Sequence, residues 1–195
     1  IGAANTGLGK WDEAIKAYAK VVSLKPDCAE GYNNMGVALK GLGKLEEAIV
    51  SYTNALSIKP DYAETYNNMG VAYREYGKRE QAIDAYTKAL SLKPDYAEVF
   101  NNLSNCLTGV LFTKPNKPLQ STIVSLIDKQ RYVRPNEIVK ASIILLKFEA
   151  SLQKSLLLGN DKGIQNPLDV ISDLSGLPLL MKLMSVCPLP DLELE

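Results

Sequence analysis

An all-α stack of antiparallel helix pairs is the fold class this sequence predicts, and three observations carry it. The tripeptide Lys-Pro-Asp recurs at 25–27, 59–61 and 93–95, a spacing of 34 residues each time. The residues between keep the same phase: Ala14, Ala48 and Ala82; Tyr18, Tyr52 and Tyr86; Gly9, Gly43 and Gly77; and Asn-Asn at 33–34, 67–68 and 101–102. Within a period, apolar and small residues recur at helical spacing, and Gly or Pro punctuates the ends. A fixed period of this size marks stacked supersecondary units, none of which buries its apolar face alone.

Taken in chain order, residues 1–28 read as a unit lacking its first few residues, with Gly2, Gly9, Trp11, Ala14, Tyr18 and Pro26 in phase. In the fullest period, 63–77 reads as one helix and 78–92 as a second. Tyr66, Met69, Gly70 and Tyr73 fall on one face of the first, and Ala82, Ile83, Tyr86, Ala89 and Leu90 on one face of the second. Gly70 and Ala82 lack bulk where the paired helices must approach closely. Gly77 suits a helix C-terminus and Pro94 closes the second helix. Asp27/Glu30, Asp61/Glu64 and Asp95/Glu98 have the spacing of a capping box for each first helix.

The fourth unit departs from the pattern. Ser104 and Asn116 replace the small residues, and Pro115 and Pro118 would interrupt a second helix. The division expected is therefore a repeat array over 1–112 (one truncated unit, two full ones and the first helix of a degenerate fourth), a connector at 113–118, and a helical region over 119–195. In that last region Leu119, Ile123, Leu126 and Ile127 have helical spacing. Pro135 opens a longer helix running to about Leu158, with a stripe through Ile138, Ala141, Ile144, Leu145, Phe148 and Leu152. Shorter helices are expected after Asn166-Pro167 and after Ser175, and 177–186 is apolar nearly all round, as in a helix buried on several sides. Leu92, Phe100, Leu103 and Leu107 would face water at the end of an array, so this C-terminal region is expected to pack on it as a cap.

Composition excludes several function classes. Lys+Arg and Asp+Glu are both 22, so no net field draws the chain to nucleic acid or anionic lipid. No apolar run approaches a membrane span. Histidine is absent, which removes the commonest general base and metal ligand. Cys28, Cys106 and Cys187 lie far apart with no C-x-x-C pair, so free thiols in a reducing, cytoplasmic setting are expected, with no metal site and no cofactor. Gly41-Leu42-Gly43-Lys44 sits inside a repeat, where Gly43 ends a helix, and Glu46/Glu47 favour a helix start. No nucleophile has a partner at a recognisable spacing, so the chain is not expected to be an enzyme.

With its Gly, Ala, Tyr and Pro placement, the array resembles the tetratricopeptide repeat (TPR) family. Gly36, Gly43, Leu45, Ala48, Tyr52, Ala55 and Pro60 match in one repeat, and Gly70, Gly77, Ala82, Tyr86, Ala89 and Pro94 in the next. The resemblance implies a right-handed solenoid whose first helices line a concave surface, and Trp11 and the phased tyrosines packed within it. Asn34, Asn68 and Asn102 would then form one column, and Asn33, Asn67 and Asn101 a neighbouring one, with Val37, Lys40, Val71, Arg74 and Asn105 beside them. An amide offers both donor and acceptor, and the column resembles that of O-linked N-acetylglucosaminyl transferases, where it holds substrate peptide. Neutral amides also imply binding that is largely insensitive to salt. The alternative for these side chains is solvation, or bonding within the solenoid.

The family's carboxylate clamp needs Lys and Arg where this chain has Asn33, Asn67, Asn68 and Asn102, which disfavours chaperone C-termini. The expected function is a protein-interaction scaffold holding an extended peptide or partner protein, with no nucleic acid or membrane partner and with self-association possible through exposed solenoid ends. A second, weaker resemblance runs from Asp173 to Glu193, which looks like the region linking TPR arrays to transferase domains in some large bacterial proteins. It implies the alternative: the substrate-recognition part of a glycosyl-, methyl- or sulfotransferase whose catalytic domain lies beyond Glu195. Both ends of the chain read as cut.

Overall fold

The computed structural model describes residues 2–108, 115–128, 142–146, 149 and 176–186. Every regular element among them is helical, and none is a strand. In order these are α1 (Gly2–Gly7), α2 (Trp11–Leu24), α3 (Ala29–Gly41), α4 (Leu45–Ile58), α5 (Ala63–Glu75), α6 (Arg79–Leu92), α7 (Ala97–Leu107), α8 (Lys117–Asp128) and, closest to the C-terminus, α9 (Pro178–Val186). The chain divides into two compact units, residues 1–103 and 104–195, the division falling inside α7.

In the first unit each helix packs mainly on its neighbours in sequence, α1 on α2, α3 on α4, α5 on α6, with α2 on α3 and α4 on α5 joining the pairs. The sequence dictates the close pairs through one large and one absent side chain. A Cβ at Gly36 would stand 2.5 Å from Cε1 of Tyr52, and one at Gly70 would stand 2.6 Å from Cε1 of Tyr86. Each tyrosine ring therefore lies flat against the opposite backbone, where only glycine leaves room. Ala14, Ala48 and Ala82 are fully buried at matching positions. Between repeats, Ala72 of α5 joins Leu39, Ala48 and Tyr52 in one cluster, while Trp11 and Ile15 pack against Ala14, Tyr18 and Ala38. The Trp11 ring covers Gly41, as a residue packed between neighbouring helices must.

Helix ends follow the punctuation in one direction and depart from it in the other. Gly9, Gly43 and Gly77 have φ of 69°, 80° and 81°, the left-handed region. After α3 the Lys44 N–H reaches Leu39 O at 2.9 Å and the Gly43 N–H reaches Lys40 O at 2.9 Å. After α5 the pair is Lys78 to Tyr73 at 2.8 Å and Gly77 to Arg74 at 3.1 Å, so both helices close as Schellman motifs. The capping boxes are not formed at α3 and α5. These helices start at Ala29 and Ala63, with Cys28 and Tyr62 at the N-cap and no side-chain cap bond. Asp27 and Asp61 sit one residue too early to cap.

In the second unit α8 begins at Lys117, two residues inside the tract expected as a connector. Pro118 does not break a helix; it lies in the first turn of one, where its missing N–H would have had no partner. Asn116 is the cap, its Oδ1 accepting from the Leu119 N–H at 3.0 Å. Leu119 and Ile123 are fully buried, as are Leu145 and Leu146, and α8 packs on α9 through a side containing Leu179, Leu180 and Leu183. Gln120 Nε2 donates to Leu145 O at 3.3 Å. Of the helix expected over 135–158, residues 142–146 are helical and the rest, apart from Glu149, lies outside the described residues, as do the segment after Asn166-Pro167 and Cys187.

Candidate functional site

The first helices α3, α5 and α7 each present an Asn-Asn pair, and the 34-residue register sets the pairs side by side. The leading members are not exposed. Asn33 is 1% and Asn67 2% accessible, and both reach into the joint between repeats. Asn33 Oδ1 accepts from Asn68 Nδ2 at 3.1 Å and from the buried Thr65 Oγ1 at 3.0 Å. One period on, Asn67 Oδ1 accepts from Asn102 Nδ2 at 3.1 Å. The same amide-to-amide bond thus closes two successive joints, and Asn33 and Asn67 are clasps between repeats.

The second members, Asn34, Asn68 and Asn102, are half-buried on the surface above these clasps. Their remaining valences differ. Asn34 Oδ1 accepts from Asn33 Nδ2 at 3.3 Å, which leaves the Asn34 Nδ2 donors open. Asn68 has given its Nδ2 to Asn33, so its Oδ1 is the open group. Asn102 is closed on both sides, because Arg74 Nη1 donates to its Oδ1 at 3.3 Å. Two open rungs therefore stand next to one closed one. Lys40 and Arg74 are half-buried in the last turns of α3 and α5, Val37 and Val71 are half-buried between them and the amides, and Asn101 and Asn105 are exposed on α7.

Sequence reasoning did not single out Thr65, and it read Glu98 only as a capping-box residue, whereas Glu98 Oε1 accepts from Asn67 Nδ2 at 3.1 Å. The signal for Glu98 was present, since Glu30, Glu64 and Glu98 each stand three residues before an Asn pair, one turn along the same face. Thr65 had no such signal: the next repeat carries Val99 in its place, also fully buried. Tyr62 and Tyr96 complete the edge of this surface. Burial, then Glu64, Glu30 and Cys28, push the Tyr62 phenol up. Burial, then Glu98 and Glu64, do the same for Tyr96, opposed by a hydrogen bond with Asn67. The ammonium groups of Lys59 and Lys93 lie over these two rings at 4.8 and 4.5 Å. Elsewhere, Tyr76 donates to Glu46 across the α4–α5 joint, beside a shallow depression lined by Gly43, Lys44, Leu45 and Glu47.

Among the described residues no group of His, Cys, Asp or Glu side chains is placed to hold a metal ion, and no helix is long and apolar enough to cross a membrane.

Helix pairs locked at a fixed period, with the first helices set side by side, define a helical-repeat protein. The family follows from comparison. The sequence matches the family described as "TPR repeat" over residues 4–43 and 40–77, and "Tetratricopeptide repeat" over 63–96. Residues 4–96 are tetratricopeptide repeats. Among solved structures it is similar to the first TPR of Spaghetti (RPAP3) bound to the HSP90 peptide SRMEEVD, at 28% identity and TM-score 0.53, covering 54% of this chain and 83% of that one. It is also similar to the second TPR domain of human RPAP3 in complex with the HSP70 peptide SGPTIEEVD, at 25% identity and TM-score 0.52, covering 54% and 88%. The Arabidopsis OM64 TPR domain, 22% identical with TM-score 0.54 and coverage of 56% and 90%, shares the fold. No curated protein sequence matches the chain.

Proposed function

We propose that the face of α3, α5 and α7 holds an extended peptide segment of a partner protein, with Asn34 and Asn68 as the rungs that meet its main chain. One observation carries this reading. In a set of amides otherwise consumed by inter-repeat bonds, Asn34 keeps donors and Asn68 keeps an acceptor, both half-buried on one face. A donor and an acceptor on adjacent repeats suit a peptide backbone, which alternates N–H and C=O whatever its side chains. The similarity to TPR domains solved with peptides bound supports a peptide as the ligand. Asn102 belongs to the architecture more than to the ligand, because Arg74 closes it. The proposed role is that of a non-catalytic interaction scaffold. It is the same whether the array acts alone or presents substrate to a transferase domain.

The test is calorimetry with extended peptides of equal length and neutral composition. Asn34→Asp keeps an oxygen that accepts from Asn33 and replaces the open donor by a charged acceptor, so a peptide carbonyl loses its partner, and a neutral peptide keeps the added charge from forming an ion pair. The substitution should weaken a neutral peptide by roughly two- to tenfold, the equivalent of one net hydrogen bond of about 0.5–1.5 kcal/mol. Replacing Asn34, Asn68 and Asn102 together by Ala should remove most of the affinity. Undiminished binding by that triple variant, shown to be folded by its helical circular dichroism, would move the site elsewhere.

A further inference from the structure

The amide rungs leave one feature of the same face unexplained. Glu30, Glu64 and Glu98 recur with the repeat, lie in the first turns of α3, α5 and α7, and are all exposed. Each stands one helical turn before its Asn pair, on the side of the helix that carries the rungs. They form a continuous row. Glu30 and Glu64 both act on Tyr62, Glu64 and Glu98 both act on Tyr96, and Glu98 is bonded to Asn67 at 3.1 Å.

Glu30, Glu64 and Glu98 take part in no ion pair among the described residues. The lysines of the same turns, Lys59 and Lys93, have their ammonium groups over the Tyr62 and Tyr96 rings. Lys25, Lys59 and Lys93 are matched in number by Asp27, Asp61 and Asp95, so the three glutamates are the surplus charge of this edge. The cations of the face, Lys40 and Arg74, sit in the last turns of α3 and α5, at the opposite ends of these helices. Like charges held in register on one face repel each other and attract a ligand of opposite sign.

Resting on the groove proposed above, we infer that its occupant is a basic extended peptide: the main chain meets Asn34 and Asn68 while Lys or Arg side chains meet Glu30, Glu64 and Glu98. This preference is opposite in sign to the acidic ends of the peptides bound by the two similar TPR domains, SRMEEVD and SGPTIEEVD. The two contributions separate cleanly. The amide contribution is read by a neutral peptide, and the glutamate contribution by the difference between a basic and a neutral peptide of the same backbone.

The experiment uses the full chain and three peptides of equal length, repeats of Gly-Ser-Lys, Gly-Ser-Gln and Gly-Ser-Glu. The expected order of affinity is Lys, then Gln, then Glu, with about a tenfold advantage for Lys over Gln at low salt that shrinks as ionic strength rises. Glu30→Gln, Glu64→Gln and Glu98→Gln combined should erase that advantage and leave the Gln peptide unchanged. Equal affinity for the Lys and Gln peptides, both lowered by Asn34→Ala, would overturn the basic preference and leave the groove standing. A Lys preference that survives the triple Gln variant would overturn it too, placing the attracting charge elsewhere. If no peptide shows any dependence on Asn34, both the preference and the groove fall.

Discussion

Replacing Asn33 by Ala tests whether the leading asparagines are clasps or ligand contacts. Asn33 Oδ1 accepts two bonds, from Thr65 Oγ1 at 3.0 Å and Asn68 Nδ2 at 3.1 Å, and the residue is 1% accessible. Truncation would leave the Thr65 hydroxyl buried without an acceptor, at about 1–3 kcal/mol. Asn68 is half-buried and can turn its amide to water, so its loss is smaller, about 0.5–1 kcal/mol. Asn33→Ala should therefore cost about 2–4 kcal/mol in urea unfolding with an unchanged m-value, whereas Asn34→Ala should cost less than about 1 kcal/mol. The next repeat supplies the control, since Val99 occupies the place of Thr65. Adding Thr65→Val to Asn33→Ala removes the orphaned donor, so the double variant should be more stable than the sum of the single effects by at least about 1 kcal/mol. A cost below about 0.5 kcal/mol for Asn33→Ala, or strict additivity in the double variant, would refute the clasp.

Other expectations follow from the packing. Gly36→Ala should destabilise by about 1–3 kcal/mol in thermal or urea unfolding, because its Cβ would meet the Tyr52 ring at 2.5 Å and that ring is itself fully buried. Gly7→Ala, with nothing within 4 Å, should be near neutral in the same assay. Gly77→Ala should cost about 1–2 kcal/mol from its φ of 81° alone, with helical content retained. Tyr52→Phe should stabilise by about 1 kcal/mol, because the buried hydroxyl has no hydrogen-bond partner among the described residues. Burial, then Glu75, pushes the Tyr52 phenol up, so below the ordinary value of 10.0 it is neutral in both folded and unfolded chains and pH has no effect through it. Above that value only the unfolded chain ionises it and stability falls. Tyr52→Phe should reduce that alkaline loss in unfolding measured from pH 8 to 11, and an unchanged alkaline slope would contradict the assignment.

The repeat architecture was legible because each phased residue answers a constraint that residue type and spacing reveal. Glycine faces the tyrosine ring at Gly36 and Gly70, and glycine takes the positive φ at Gly43 and Gly77. Helix starts were less legible. The Asp-x-x-Glu spacing fits a capping box, yet the turn after Lys-Pro places the N-cap at Cys28 or Tyr62, so Asp61 falls outside the helix and Glu64 is freed for the surface. Pro118 was misread for a related reason, since a proline that would break a helix interior is welcome in a first turn once Asn116 caps it. At the site, periodicity located the two asparagine columns but not their depth. Residues 33 and 34 are adjacent on a helix, and which one points into the joint depends on the crossing of α3 with α5. The partition between clasp and rung therefore belongs to tertiary packing, as does the closure of Asn102 by Arg74.

The amide joint between repeats has a consequence for how such a chain can lengthen. Asn33 to Asn68 and Asn67 to Asn102 are both separated by 35 residues, one more than the period. Each complete Asn-Asn pair is thus a socket for the repeat that follows and a plug for the repeat that precedes. A duplicated stretch spanning 44–77 would arrive with its own plug and socket already in register, and no surface would have to be reinvented to receive it. An insertion that is not a whole number of periods would change the plug-to-socket spacing at the one joint it falls within, while later joints keep theirs. Array length is in this sense a quantity that heredity can change in whole steps, with the fastening supplied by two adjacent amides.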